Sequence, residues 1–362
     1  MKILHVYKDY FPILGGIENY MKVLAETAAR EGHQVIASVC NTKAGTIVED
    51  LNDVKVIKSG RLATLASMPI SFGQPLAVLR LKPDVVHVHS PYPLGELSAW
   101  LFKAKVPLVI THHSDVVRQK GWLQLYGPLL RRVLQRADRI LPTSPRYIET
   151  SPWLGPVKDK CTVVPLGIDH QRFTPPPAPF DGPPTLIFVG RLRYYKGLDT
   201  LLHAMVELPD VQLNVVGIGP MEQEWKALTE SLGIQEQVHF LGEVSDEDLP
   251  KQYHQATMFV LPSNARSEAF GMVLLEAMAS GLPCVSTELG TGTSWVVQHG
   301  VTGQVVPAKA PAAMAKAIRA MLSDPAQLAE MGQAGRQRVE EEFTYQRMNE
   351  RVMAVYQDLV ST

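Results

Sequence analysis

Short apolar runs rich in β-branched residues recur through the first half of the chain, at Ile3–Tyr7, Val35–Val39, Val54–Ile57, Val85–Val88, Leu108–Ile110, Ile140–Leu141 and Cys161–Val164, with helical stretches between most of them. A strand that is apolar on both faces must be covered on both. Alternation with helices supplies that cover, so the pattern predicts an α/β fold built on a parallel sheet. The alternation stops at Thr174-Pro-Pro-Pro-Ala-Pro-Phe-Asp-Gly-Pro-Pro184, which cannot be a central strand because proline lacks the ladder donor. It then starts again at Leu186–Val189, Gln212–Val216, Val238–Phe240, Met258–Leu261, Pro283–Ser286 and Gln304–Val306.

The expected organisation is therefore two doubly wound, Rossmann-like domains facing a central cleft: residues 1–173, a proline-rich linker at 174–184, and residues 185–342. A C-terminal helix within 343–362 is expected to pack back on the first domain. The length of 362 residues exceeds what one core usually holds. Doubly wound sheets bind ligands outside the carboxyl ends of their strands, so strand ends are where chemistry is sought.

The densest signal is Glu268-Ala-Phe-Gly-Met-Val-Leu-Leu-Glu276, followed by Ala277-Met-Ala-Ser-Gly281-Leu-Pro283. It reads as one short helix over Phe270 to Ala279, with Glu268 just before it and Glu276 about two turns inside. Backbone N–H groups around Gly271 face out of the helix start, where the macrodipole favours an anion. Ionised glutamates on either side accept hydrogen bonds from paired hydroxyls. Together they suit a sugar nucleotide. A loop charge at Glu268 and a solvated charge at Glu276 is the bland alternative, but Met272, Val273, Leu275 and Met278 leave that helix little polar face.

Gly190-Arg191 and Lys196-Gly197 follow the first strand of the second half, so Arg191 and Lys196 emerge where two cations stabilise a diphosphate leaving group. Two solvated loop cations would read the same way. Gly217-Ile-Gly219 is two-thirds of a dinucleotide fingerprint and lacks the third glycine, since Glu222 stands there. In the first half, Gly15-Gly16 precedes a helix; it serves either close backbone approach to a ligand or a tight turn with positive φ. His87 and His89 end one strand, and His112 and His113, followed by Asp115, end another. Without a cysteine or placed carboxylate to complete a shell, these histidines are expected to contact sugar rather than zinc.

Asp246-Glu-Asp248 resembles a metal-binding aspartate pair, but Ser245 before it and a helix after it indicate a Ser-x-x-Asp cap with acids in the first turn. No metal is then called for. Trp122 to Arg136 is an amphipathic helix, with Arg118 and Lys120 just before it, and suits either an anionic membrane surface or ordinary packing on the sheet. Lys plus Arg numbers 35 against 36 for Asp plus Glu, a net charge of −1, which argues against general nucleic-acid binding. No cleavable signal pattern and no apolar span of membrane length are seen, so a cytoplasmic location is expected, with peripheral contact at the inner membrane face left open. Cys40, Cys161 and Cys284 have no metal-like spacing and read as buried thiols.

Together these residues resemble the GT-B glycosyltransferases of family four, retaining enzymes that use nucleotide-sugar donors. The likeness rests on Glu268 to Pro283, on Gly190-Arg191 with Lys196-Gly197, on Gly15-Gly16, and on Pro165-Leu-Gly167-Ile-Asp169. It implies that Glu276 binds the ribose hydroxyls and Glu268 the donor-sugar hydroxyls. It further implies that Arg191 and Lys196 hold the diphosphate, with Gly15, Gly16, Gly190, Gly217, Phe270, Gly271 and Met272 around the donor, and that His113 sits by the donor sugar. His89 and Asp115 are candidate sugar or acceptor contacts. No cofactor or metal is implied. Transfer would keep the anomeric configuration by a front-face route, from a GDP- or UDP-hexose of mannose or glucose type to a saccharide or lipid-linked acceptor. Leu166 replaces a common Asn and Trp295 a frequent Glu, which leaves the donor open; the Gly-Thr-Gly-Thr-Ser segment at 290–294 is similar to bacterial O-antigen mannosyltransferases. A nucleotide-sugar 2-epimerase and a noncatalytic sugar-nucleotide-binding subunit remain the competing readings.

Overall fold

The strand–helix alternation folds as the pattern requires, in a computed structural model that describes residues 1–13, 15–65, 68–101, 105–116, 120–178 and 180–361. The chain forms two units: Met1–Leu166 with Tyr345–Thr362, and Gly167–Thr344.

In the first unit the strands are β1 (Lys2–Val6), β2 (Gln34–Cys40), β3 (Ile47–Leu51), β4 (Val54–Ser59), a small hairpin of β5 (Ala63–Leu65) and β6 (Met68–Ile70), then β7 (Val85–Ser90), β8 (Leu108–His112) and β9 (Arg139–Pro142). The main sheet runs β3-β4-β2-β1-β7-β8-β9 and is parallel except for β3 at its edge. β3 escapes the apolar-run criterion because its IVEDL sequence carries adjacent Glu49 and Asp50 and is mostly exposed. Cys161–Val164 yields only an isolated bridge, from Cys161 to Ile140. Every residue of β7 and β8 is buried, histidines included, and this central position sets their chemistry.

The helix Tyr345–Val360 buries Met348, Val352, Val355 and Tyr356 in the core of the first unit. At about 1.5–3 kcal/mol for each fully buried large apolar side chain, an upper estimate, that face holds the C-terminus to strands laid down at the start of the chain.

The second unit holds β10 (Thr185–Val189), β11 (Gln212–Val216), β12 (Val238–Gly242), β13 (Met258–Leu261), β14 (Cys284–Glu288) and β15 (Gly303–Pro307), in the order β12-β11-β10-β13-β14-β15 with parallel pairing throughout. The order reverses at β10 and β13, the switch point at which such sheets take ligands.

The crossing between units does not fall at the proline-rich stretch. Leu166 packs on the first core, whereas the Ile168 N–H donates to Phe343 O at 2.8 Å, so 167–173 belongs to the second unit. Residues 174–184, apart from Pro179, which lies outside the described residues, run along the second unit. There Arg336 donates to Phe173 O and Ala279 O, and the His254 ring meets Thr174 O at 2.7 Å. Proline content marks a stretch that cannot join a sheet, which is a weaker property than a domain boundary.

Candidate functional site

At the carboxyl ends of β10 and β11, Gly190 and Gly217 let two backbones meet. Gly217 has φ 123°, and a Cβ there would stand 2.2 Å from Gly190 O. No other residue fits. The result is a cavity of about 440 Å³ lined by Val189, Gly190, Arg191, Val216, Gly217, Ile218 and Leu249 among others. Its walls are backbone and aliphatic side chains together with the Glu243 carboxylate, and Arg191 on its edge is exposed and available to an anion.

Beside it the turn Tyr194–Lys196 brings Lys196 back under Gly190, whose missing Cβ would meet the Lys196 side chain at 3.3 Å. Lys196 Nζ lies 2.7 Å from Glu268 Oε2, both residues being 8% exposed. Burial pulls the Lys196 pKa down, but the charge and hydrogen bond of Glu268, with Tyr195 and Glu276 behind them, more than offset it and hold the ammonium charged. Ser263 Oγ donates to the same Glu268 oxygen at 3.2 Å, and Thr291 Oγ1 donates to Glu268 O at 2.8 Å. Glu268 is thus fixed by the ends of two strands and is not a loose loop charge.

The helix expected from Phe270 begins at Met272 and runs to Ala279; Gly271 precedes it in the left-handed region at φ 82°. Phe270 itself turns inward, 2% exposed, edge-on to Phe343 with ring centroids 6.1 Å apart. Only its backbone is available to a ligand. The first N–H groups of the helix lack intrahelical acceptors by construction. Glu276 accepts a hydrogen bond from Tyr253 Oη at 2.8 Å. Burial raises its pKa above the ordinary carboxylate value, opposed by the Tyr253 hydrogen bond and by the charges of Arg172 and Lys196. Glu268, Lys196 and Glu276 therefore form one electrostatic group, a grouping that the separate motifs do not announce.

In the first unit neither Gly15, at φ −159°, nor Gly16 has positive φ, so the tight-turn explanation for the pair does not hold. A Cβ at Gly15 would collide with the Glu18 carboxylate at 2.4 Å, whereas one at Gly16 would meet nothing within 4 Å. Gly16 is the residue with open space before it.

The histidines correct the expectation most. His89 is 0% exposed and does not line a surface: its Nε2 pairs with His5 Nδ1 at 3.1 Å and its Nδ1 with His113 Nε2 at 3.2 Å. His87 spans Tyr356 Oη and Thr111 Oγ1. Sugar contact by His87 and His89 needs an accessible strand end, but β7 is a central strand and every residue of it is buried. His113 is held by its N–H to Ser90 O at 3.0 Å, and burial lowers its pKa to about 3. Asp115 is half-buried, and its Oδ1 accepts from Ser151 Oγ at 2.7 Å and meets His112 Nε2 at 3.1 Å.

The amphipathic helix is Lys120–Arg136; Arg118 and the side chains of Lys120, Trp122 and Leu123 lie outside the described residues. Its described stripe of Leu130, Val133 and Leu134 is buried at 0–1% exposure and faces the protein interior, where the helix packs against Pro93–Leu101. Exposed apolar side chains appear instead at Phe72, Leu76 and Leu79 on and before Gly73–Arg80, and at Trp100 and Leu101 ending Pro93–Leu101. Ser245 caps Asp248 N–H at 3.1 Å, as read, but the helix starts only at Leu249, so the acids form the turn before it, with Asp248 paired to Lys251. Trp295 is packed against Phe343 and under Arg338.

Sequence reasoning missed Tyr253, Arg172 and Ser263, and His5 as a partner of His89. The Tyr253 hydroxyl reaches a carboxylate 23 residues away, and no local spacing announces such a contact. His5 lies in register with His87 across β1 and β7, a pairing that strand order alone reveals.

A model of the family described as Glycosyltransferase Family 4 matches residues 14–172, and one described as Glycosyl transferases group 1 matches residues 170–338. The chain is 37% identical to the D-rhamnosyltransferase WbpZ of Pseudomonas aeruginosa over 95% of its own length and 92% of that protein. It is 33% identical to the O-antigen chain mannosyltransferase C of Escherichia coli, with 100% of both chains covered. Among solved structures, sucrose-phosphate synthase from Thermosynechococcus elongatus is similar with a TM-score of 0.80 at 24% identity, covering 99% of each chain.

Proposed function

This chain belongs to the family 4 glycosyltransferases, of GT-B fold, and from that premise we propose that it is a retaining enzyme moving a mannose- or glucose-type hexose from a GDP- or UDP-linked donor to a saccharide or lipid-linked acceptor. The observation that carries the reading is the buried Glu268–Lys196 pair with Glu276 close enough to act on the same lysine, at the end of β10 and the start of the helix Met272–Ala279.

In this reading the Gly190–Gly217 cavity takes the base between its aliphatic side chains and Glu243, and Glu276 takes the ribose hydroxyls. Arg191 and Lys196 take the diphosphate, one as a planar fork and one as a point charge. Glu268 accepts from the sugar hydroxyls while remaining in contact with Lys196. In the first unit, taken by itself, Gly16 offers an open backbone and His113 an imidazole. The bond from the anomeric carbon to the β-phosphate oxygen breaks, and the acceptor oxygen bonds to that carbon on the same face. The acceptor proton passes to the freed phosphate oxygen, and the nucleoside diphosphate leaves with its charge met by Arg191 and Lys196.

The relatives' names support a mannose-configured sugar, since D-rhamnose is mannose without its 6-hydroxyl. Peripheral contact with an anionic bilayer, which a lipid-linked acceptor calls for, is supported by exposed Phe72, Leu76, Leu79 and Trp100, with the cations Arg80, Lys82 and Lys105 near them in sequence.

The test is a panel of GDP- and UDP-sugars read first by thermal shift and then by transfer to a mannosylated lipid-linked acceptor. A donor at 100 times its Kd adds about 2.7 kcal/mol to stability. A panel in which no nucleotide sugar shifts the unfolding transition rules the reading out.

A further inference from the structure

We propose that His5 and His89 are positioning residues that fix which nitrogen of His113 carries its proton, so that His113 presents Nδ1–H outward as a hydrogen-bond donor.

The three rings form one chain, with His5 Nδ1 to His89 Nε2 at 3.1 Å and His89 Nδ1 to His113 Nε2 at 3.2 Å. The pairs are close to parallel, with interplanar angles of 19° and 24°. All three residues are at most 4% exposed, and burial lowers each pKa, so the rings are neutral. A neutral imidazole has one donor and one acceptor nitrogen, so the proton on one ring dictates the proton on every ring. Only two senses exist.

In the first sense His5 Nδ1–H donates to His89 Nε2, His89 Nδ1–H donates to His113 Nε2, and His113 is left with Nδ1–H. In the second every donor is reversed and His113 Nδ1 becomes an acceptor. The two senses differ at the sealed end of the chain, His5 Nε2, which is buried and without a partner. The second sense would strand an N–H donor there, whereas the first strands a lone pair. Buried unpaired N–H groups are the rarer defect, so the first sense is favoured. At the other end His113 Nδ1 has no partner among the described residues and is not sealed from solvent as His5 Nε2 is. Tyr20 flanks the chain from the side, edge-on to His89 and His113 at centroid distances of 5.6 and 4.9 Å.

Ligand nitrogens of His5, His87 and His89 also lie within 4.8 Å of one another, the spacing of a metal site. The described hydrogen bonds argue against that use. Both nitrogens of His89 and both of His87 already have partners, and a metal would have to displace them.

A donor at this place serves an oxygen of the sugar or of the diphosphate, a role that rests on the glycosyltransferase reading above. The tautomer itself does not. The experiment is long-range 15N–1H correlation on the full chain with 15N-labelled histidine, without donor, with His113 assigned by loss of its signals in His113→Gln. A protonated Nδ1 and bare Nε2 at His113 is expected; the reverse overturns the proposal, as does uptake of one equivalent of Zn²⁺ that perturbs His5, His87 and His89 together. Two variants then separate positioning from packing. His5→Leu removes the donor and should shift His113 toward Nε2–H and lower kcat about tenfold at unchanged KM, the equivalent of one hydrogen bond made in the transition state. His5→Gln keeps an N–H donor for His89 and should restore both the tautomer and kcat. Equal kcat in wild type and His5→Leu overturns the positioning role. A chain with no detectable transfer at all would count against the function while leaving the wild-type tautomer to decide this inference.

Discussion

Lys196 Nζ and Glu268 Oε2 stand 2.7 Å apart with both residues 8% exposed, so a charged pair is held almost out of water. A buried pair is costly to assemble and is poor evidence of selection for stability alone. It is well placed, however, to meet a diphosphate and a sugar side by side.

Glu268→Gln leaves the Lys196 ammonium facing a neutral amide. Breaking a buried pair costs about 3–5 kcal/mol when nothing replaces the partner, and since Glu276 still acts on Lys196 the expected loss is about 1–3 kcal/mol by urea unfolding. The pH dependence has a definite sign. The folded-state pKa of Lys196 lies above the ordinary 10.5, so the pair's contribution is whole below that value and is lost as pH rises through the folded one. Wild type should lose its advantage over Lys196→Met only in that alkaline window. An advantage lost at neutral pH would contradict the pairing.

Glu276 runs the other way. Its carboxyl is raised by burial, so folding disfavours the charged form at neutral pH. Glu276→Gln should therefore stabilise the donor-free protein by on the order of 1 kcal/mol while weakening donor binding, the trade expected of a binding residue. A variant that is both less stable and normal in donor affinity would assign Glu276 to structure.

Gly217 and Gly16 should respond differently to the same change. Gly217→Ala places a Cβ against Gly190 O at φ 123°, and a loss of about 2 kcal/mol or more is expected in thermal unfolding. Gly16→Ala meets open space at the first residue of the helix Gly16–Arg30 and should leave the melting temperature unchanged or slightly higher. Its effect should appear as weaker donor binding by calorimetry. Undiminished affinity would remove Gly16 from the phosphate's path.

For the bilayer, Trp100→Ser with Leu76→Ser should reduce sedimentation with anionic vesicles at low salt and leave unfolding nearly unchanged. Leu130→Ala, in the buried stripe, should instead cost about 2–5 kcal/mol of stability. Equal vesicle binding by wild type and the surface variant would dismiss that face.

Much of this was legible in the sequence because it is local. Apolar runs gave the strand positions to within a residue or two, Cys161–Val164 excepted, and Glu268 and Gly271 precede one helix as their spacing predicts, with Glu276 about one turn inside it and not two. The failures are non-local. The edge strand Ile47–Leu51 pairs antiparallel and carries too much charge to show as an apolar run. His89 reads as a strand-end ligand until β7 is known to lie between β1 and β8, which buries both faces. Tyr253 and Arg172 act on Glu276 only because distant turns bring them to it. Proline content placed the boundary several residues late, since the bonds that assign 167–173 to the second unit reach Phe343 and Arg336 near the far end of the chain.

The central claim is tested most directly by a crystal structure with an intact GDP- or UDP-sugar. The account predicts ribose hydroxyls on Glu276, diphosphate oxygens on Arg191 and Lys196, and sugar hydroxyls on Glu268. A well-ordered nucleotide sugar bound away from all four side chains would contradict it.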